Sequence, residues 1–242
     1  MEKLFDFNYM LEAIPRLLDR LPVTLELTAL AMVLGLVLGT IIALIRLEKL
    51  PALSPLARLY VSFVRGTPII VQLYISYFGL PLFLKYLNAQ FGWQLNVNGI
   101  PGYVFAILAM GINQSAYLSE IFRGAFLSVD KGQIEAAYSV GMTKGQCFRR
   151  ILFPEALTIA IPGLGNSLIS LVKGTSLAFV TSVVEMTAQG KIIGGQTYRY
   201  FEVYIALAII YWLVTILLEL IFYLIEKRLA LPDQAPQVKE GA

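Results

Sequence analysis

Residues 23–45 read VTLELTALAMVLGLVLGTIIALI, a run whose only charged side chain is Glu26. A helix of roughly 20 apolar residues, rising about 1.5 Å per residue, is what a hydrocarbon layer about 30 Å thick requires. This run therefore predicts a membrane-crossing helix. The stretch 1–21 ahead of it carries Glu2, Asp6, Glu12 and Asp19 among its apolar residues. It lacks a basic start and a small-residue cleavage site, so it does not read as a signal peptide and the apolar run is expected to stay in the mature chain.

The composition of the whole chain agrees with lipid as its solvent. Of 242 residues, 57% are hydrophobic and only 14% charged, and mean hydropathy is +0.71. A soluble domain carries about 25% charged residues. The net charge of +3 is too small to argue for a nucleic-acid partner. A single cysteine (Cys147) and no histidine exclude an intrachain disulfide framework and the usual zinc and haem ligand sets, so no metal site is expected.

Four further apolar runs follow: about 59–84, interrupted by Arg65-Gly66-Thr67-Pro68, then 100–122, about 156–180 and 203–225. The fold class is thus an all-α membrane protein of about five transmembrane helices. A segment 1–21 precedes the membrane domain 22–229, and a tail 230–242 follows it. Loop charges give an orientation. Linkers 46–65 and 123–155 together with the C-terminal stretch from Lys227 onward hold twelve Lys or Arg, whereas the N-terminal segment and the loops 85–99 and 181–199 hold six. Positive loops stay on the cytoplasmic side, which predicts an extracytoplasmic N-terminus and a cytoplasmic C-terminus. Five spans require the same parity.

The linker after the third span is the most informative loop: SVDKGQIEAAYSVGMTKGQCFRRILFPEAL, residues 128–157. It reads as two short helices. Asp130 caps the first with Gln133 answering it, Gly141 stops it, Thr143 and Gln146 repeat the capping arrangement, and Pro154 ends the second. From periodicity alone, this element is equally well a plain connector.

Glu135-Ala136-Ala137, Gly141, Ile151 and Pro154 resemble the EAA motif of ABC importer permeases, with Phe153 where that family usually has Leu. Thr24–Thr28, Phe63–Pro68, Ala116–Glu120 and Ser170–Ala178 resemble the polar amino acid branch of the same family, in the same order along about residues 20–229. The resemblance implies a type I ABC importer permease fold in a bacterial plasma (inner) membrane, a transport subunit and not an enzyme. It implies a second permease copy or paralogue, a cytoplasmic ABC ATPase dimer gripped through Glu135, Ala136, Ala137 and Gly141, and an extracytoplasmic amino-acid-binding protein. The chain has no G-x-x-x-x-G-K-[S/T], so ATP is expected to bind the partner ATPase and no cofactor this chain.

Two spans carry polar faces. Asn113, Tyr117, Glu120 and Gly124 share one face of the third; Asn166, Ser170, Lys173 and Leu177, extended by Gly163, share one face of the fourth. From these faces Asn113, Tyr117, Asn166, Ser170 and Lys173, together with Gln114, Ser167 and Gln72, are the candidate substrate pathway, near mid-membrane where transporters place substrate. Each has a plainer reading. Lys173 is within reach of snorkelling to the interface. The amides and hydroxyls equally well bond helix to helix. Glu120 is expected to pair with Arg123 or Arg65, and Glu219 in the fifth span has no role assigned by the sequence, a pairing across the bundle being one reading. An amino acid's carboxylate suits Lys173. Where the resemblance places Glu in members handling cationic amino acids, this chain has Ser167, which favours a neutral or polar substrate, cystine or glutamine among them. The competing reading is a subunit of a channel or ion-coupled secondary carrier, with Lys173 and Glu219 as coupling charges.

Overall fold

The computed structural model describes residues 5–229, and the tail 230–242 lies outside them. Those residues form helices: α1 (Phe7–Leu18), α2 (Leu21–Leu47), α3 (Leu53–Gly66), α4 (Ile69–Tyr74), α5 (Leu80–Phe91), α6 (Gly102–Ser128), α7 (Lys131–Ser139), α8 (Lys144–Cys147), α9 (Phe153–Gly174), α10 (Met186–Thr197) and α11 (Tyr200–Leu229). Wide π turns at Ile75–Gly79 and Phe148–Leu152 join α4 to α5 and α8 to α9 without a break. A tighter 3-10 turn, Thr175–Thr181, continues α9. Five of the resulting helices are long and apolar enough to cross a membrane: Leu21–Leu47, Ile69–Phe91, Gly102–Ser128, Lys144–Thr181 and Tyr200–Leu229.

Helix α6 is the axis of the bundle. Over its most apolar window 56% of residues are buried, against 17% in α11 and 6% in Ile69–Phe91, whose outer faces are left for lipid. It packs along α2 through Leu27, Ala31, Met110 and Leu118. At Gly39 the two backbones meet: a β-carbon there would stand 2.9 Å from the Ser115 carbonyl oxygen. Small residues permit this approach where lipid offers no hydrophobic driving force between helices.

The second apolar run divides instead of crossing as one span. Pro68 disfavours helical geometry at Thr67, and both residues are extended, with ψ of 141° and 137°. The part before the break is α3, an amphipathic helix burying Ser54, Ala57, Val61 and Val64. The crossing helix starts only at Ile69 and runs on to Phe91. Pro68 takes the N-cap position in place of the first helical turn, and the Thr67 hydroxyl donates back to the Phe63 carbonyl. The Gln72 amide satisfies the end of α3, donating to Val64 O at 2.8 Å.

Pro154 does not end a helix. In the wide turn ahead of it the Phe153 amide bonds Phe148 O, five residues back, so the ring at 154 enters a turn that already departs from α geometry. Pro81 follows the other wide turn at the same two-residue offset. Wide turns re-satisfy backbone groups that proline would orphan.

Helix α1 lies across the end of the bundle opposite loop 129–143. Met10, Ala13 and Leu17 dock with Met186, Ile193 and Val203, while Phe7, Leu11 and Leu18 form an exposed apolar stripe. Asp6 accepts from the Tyr9 amide and pairs with Arg199 at 3.0 Å; these interactions hold its carboxyl below the usual range. Nearby, Glu185 is fully buried and caps α10, accepting from the Thr187 and Ala188 amides and the Tyr211 hydroxyl. Burial pushes its carboxyl up, against the pull of those two amides.

Candidate functional site

Helices α6 and α9 enclose a cavity of about 580 Å³, lined by Asn113, Gln114, Tyr117 and Glu120 from the first and by Gly163, Asn166, Ser167 and Ser170 from the second. Six of the eight residues expected to form the pathway therefore meet around one space. The wall of α9 follows Gly163, Ser167, Ser170 and Gly174, a spacing of four, three and four that keeps one face at 3.6 residues per turn. At one end of this wall Gly163 lets Ile121 of α6 pack close, since a β-carbon there would stand 2.9 Å from the Ile121 side chain.

The other two expected residues stand elsewhere. Lys173 is exposed and lines a separate pocket of about 260 Å³ with Ser176, Thr187, Tyr204 and Tyr211. At about 100° per residue it sits on the edge of the stripe, roughly 100° from Gly174, so its side chain leaves the cavity. Gln72 lines an apolar recess beside α3. It touches the pathway through Asn113, whose amide nitrogen donates to Gln72 Oε1 at 3.1 Å. Gln72 thus connects the end of α3, the start of the second span and the middle of α6. Gln114 is buried and bonds Ser167 through its hydroxyl and carbonyl. Those two side chains join α6 to α9, while Tyr117, Asn166 and Ser170 remain exposed in the cavity.

At one mouth of the cavity a single carboxylate meets three guanidinium groups. Glu120 Oε1 receives Arg46, from the end of α2. Its Oε2 receives both Nε and Nη2 of Arg123, at 3.0 and 2.9 Å. Arg65 stands 4.0 Å from the oxygen that Arg46 already holds. The expected partners are both there, but Arg46 is the tighter neighbour and sequence reasoning missed it. Its only signal was position: the last turn of the first span ends at the depth where the inward end of α6 needs a cation. Glu219 makes no ion pair with a described residue. It is exposed and lines a small pocket of about 120 Å³ with Asn166, Tyr223 and Glu226.

The loop below this mouth is built mostly as expected. Gly141 adopts φ +82°, a left-handed conformation that favours glycine, and the Met142 amide closes the end of α7 on Ala137 O at 3.1 Å. Thr143 and Gln146 form a reciprocal capping box. Asp130 caps α7 through the Gly132 amide, but Gln133 turns away to Glu155 instead of answering it. Glu135 and Ala136 are exposed, whereas Ala137 is buried against its own loop. Tyr138 and Val140, 46% and 75% exposed, complete an outward surface that the sequence had not singled out.

Comparison with known proteins agrees with this architecture. Residues 35–231 match the family model described as binding-protein-dependent transport system inner membrane component. The probable amino-acid permease protein YxeN of Bacillus subtilis (strain 168) is 43% identical over 94% of this chain and 97% of its own. The L-cystine transport system permease protein TcyL of the same organism is 42% identical over 95% and 93%. Among solved structures, a chain from the crystal structure of an amino acid ABC transporter with histidines superposes with a TM-score of 0.79 at 36% identity, covering 93% of this chain and all of that one. With five membrane helices, a polar cavity between two of them and these relatives, the chain belongs to the binding-protein-dependent inner-membrane transport components, the multi-pass permease subunits of ABC importers, which are not enzymes themselves.

Proposed function

We propose that this chain forms half of the translocation pathway of an ATP-driven importer for a neutral or polar amino acid. The observation that carries this reading is the cavity between α6 and α9: exposed Tyr117, Asn166 and Ser170 supply hydroxyl and amide groups, and its one carboxylate is held by arginines. An ammonium group finds oxygen acceptors there, but a cationic side chain finds no free carboxylate among the described lining residues. Ser167 points the same way. Relatives named for L-cystine transport support cystine as one candidate, and glutamine fits the same chemistry. Relatives named for arginine, nopaline and octopine transport mark how widely this architecture is used.

The remaining parts of the machine lie in other chains. Loop 129–143 is the handle for a cytoplasmic ATPase dimer, with Glu135, Ala136, Tyr138 and Val140 outward and Gly141 setting the turn. ATP binds there and not here. Loop 129–143 and the mouth at Glu120 then face the cytoplasm, and α1 and α10 face outward, where an extracytoplasmic binding protein delivers the substrate. A second permease copy or paralogue completes the pathway. A channel or ion-coupled carrier is less favoured, because Lys173 and Glu219 line separate pockets outside the cavity.

The test is reconstitution of the chain with its ATPase and binding protein in liposomes, followed by competition with a panel of labelled amino acids. ATP-dependent uptake of a neutral or polar amino acid is expected, and altering residues 130–154 should release the ATPase on purification. Uptake driven by an ion gradient without ATP would overturn the reading.

A further inference from the structure

We propose that Arg65 is the carboxylate anchor of the pathway, the group that holds the α-carboxylate of the travelling amino acid at the loop-side mouth. This rests on the amino-acid permease reading and assigns to Arg65 the role that sequence reasoning gave to Lys173. Lys173 does not line the cavity; Arg65 does, beside Tyr117 and Glu120.

The charge balance of the mouth singles out one of its three arginines. Glu120 offers two oxygens, and both are occupied: Oε1 by Arg46 and Oε2 by the two-pronged bond from Arg123. Arg46 is committed, with a side chain 13% exposed. Arg65 is not. Its side chain is 46% exposed, its sole carboxylate neighbour among the described residues is at 4.0 Å, and its guanidinium lies over the Tyr117 ring, 5.3 Å from the centroid. A guanidinium stacked on an aromatic face keeps its N–H edge free, and that edge matches a carboxylate in a two-pronged geometry. Tyr117 lines the same cavity, so the ring holds the cation in its wall.

The position of Arg65 in the chain supports the role. It is the penultimate residue of α3, next to the extended Thr67-Pro68 break that Gln72 pins and that Gln72 also connects to Asn113. A carboxylate at Arg65 and polar contacts at Asn113 would therefore bear on one hydrogen-bonded unit. The cavity then selects by charge: it accepts zwitterions and anions, and it rejects the amine that remains when the carboxylate is removed.

The test uses the nucleotide-free complex of the chain with its ATPase, without the binding protein, and measures direct binding of the panel of amino acids and of L-cystine against cystamine, the diamine lacking both carboxylates. Wild type should bind L-cystine, or the panel member it transports, at least about tenfold more tightly than the matching amine. Arg65→Gln should lose about tenfold for the amino acid and nothing for the amine. Arg65→Lys, which keeps the cation and guards against a variant that fails to assemble, should lose about threefold. Arg123→Gln, which disturbs the cluster but leaves Arg65, should keep the preference for the amino acid. Unchanged amino-acid binding in Arg65→Gln, or equal binding of the amine by wild type, overturns the anchor while leaving the permease reading intact. A wild-type complex that neither binds nor transports any zwitterion overturns both.

Discussion

Removing the Glu120 carboxylate should destabilise the loop-side half of the bundle more than any surface ion pair would. In Glu120→Gln the side chain keeps its shape but loses its charge, leaving Arg46 and Arg123 beside each other without a counterion. Exposed pairs contribute about 0–1 kcal/mol, and breaking a fully buried pair costs about 3–5 kcal/mol. Here the carboxylate is 22% exposed and its partners 13% and 35%, so the expected loss lies between these limits, about 2 kcal/mol. That corresponds to a factor of about 30 in the local opening equilibrium. Cys147 provides the assay: it is the only cysteine in the sequence, and only 2% of it is exposed. A thiol-reactive fluorophore in detergent therefore labels the native protein slowly and reports opening of the loop end. Glu120→Gln should label about 30-fold faster under conditions where opening limits access. The double variant Arg46→Met/Glu120→Met, which removes a matched pair, should recover part of the loss. Labelling within twofold of wild type would refute the cluster as a structural element.

Three other perturbations separate the coupling, packing and capping arguments. Gly141→Asp places a side chain at φ +82° in open space, since a β-carbon there meets nothing within 4 Å. The cost is conformational, about 1 kcal/mol; the protein should insert normally yet lose uptake, measured as expression against transport. Gly39→Leu drives carbon into the Ser115 carbonyl and Leu118, and overpacking of this kind costs about 1–3 kcal/mol, read as a lower melting temperature in detergent. For Glu185 the raised carboxyl sets the sign of a pH effect. A group whose pKa is higher folded than unfolded favours folding when protonated, so its contribution is full below about 4.5, the ordinary value, and fades as pH rises through the folded value. The stability of wild type relative to Glu185→Gln, followed by thermal melts, should therefore fall from pH 4.5 upward. A rise over that range would contradict the burial argument.

The membrane fold was legible because apolar length is a one-dimensional signal. The run 23–45 needs no tertiary information to be recognised, and the polar stripe of α9 showed in spacing alone. What failed was local punctuation whose meaning depends on three dimensions. Pro68 was visible as a break, but the apolar side chains Leu56, Leu59 and Phe63, all exposed, carried the hydropathy signal backwards through α3 and disguised a separate helix as part of a span. Pro154 read as a stop because sequence does not reveal that a wide turn precedes it. Lys173 read as a cavity residue because two ends of a 3.6-residue stripe differ by too small an angle to assign an edge. Arg46 and Glu120 are 74 positions apart, and no periodicity joins them.

The continuity from Lys144 to Thr181 has a mechanical consequence. The capping box at Thr143 starts a helix that runs through the wide turn at Phe148–Leu152 into α9, whose Asn166, Ser167 and Ser170 line the cavity. From Thr143 to Asn166 is about 34 Å along the axis at about 1.5 Å per residue. A push on the loop therefore needs no relay of side chains to reach the cavity wall. It acts on one end of a rod whose compliant points are the wide turn and Pro162, where the backbone ladder lacks a donor. On the opposite wall, Asn113 is pinned to Gln72 and so to the break at Thr67-Pro68. One wall is continuous with the loop and the other is tied through Gln72 to the break between α3 and the second span. A displacement of the loop at Gly141 would then be expected to slide α9 against α6, and the hydrogen bonds from Gln114 to Ser167 are the contacts that such a slide would have to exchange.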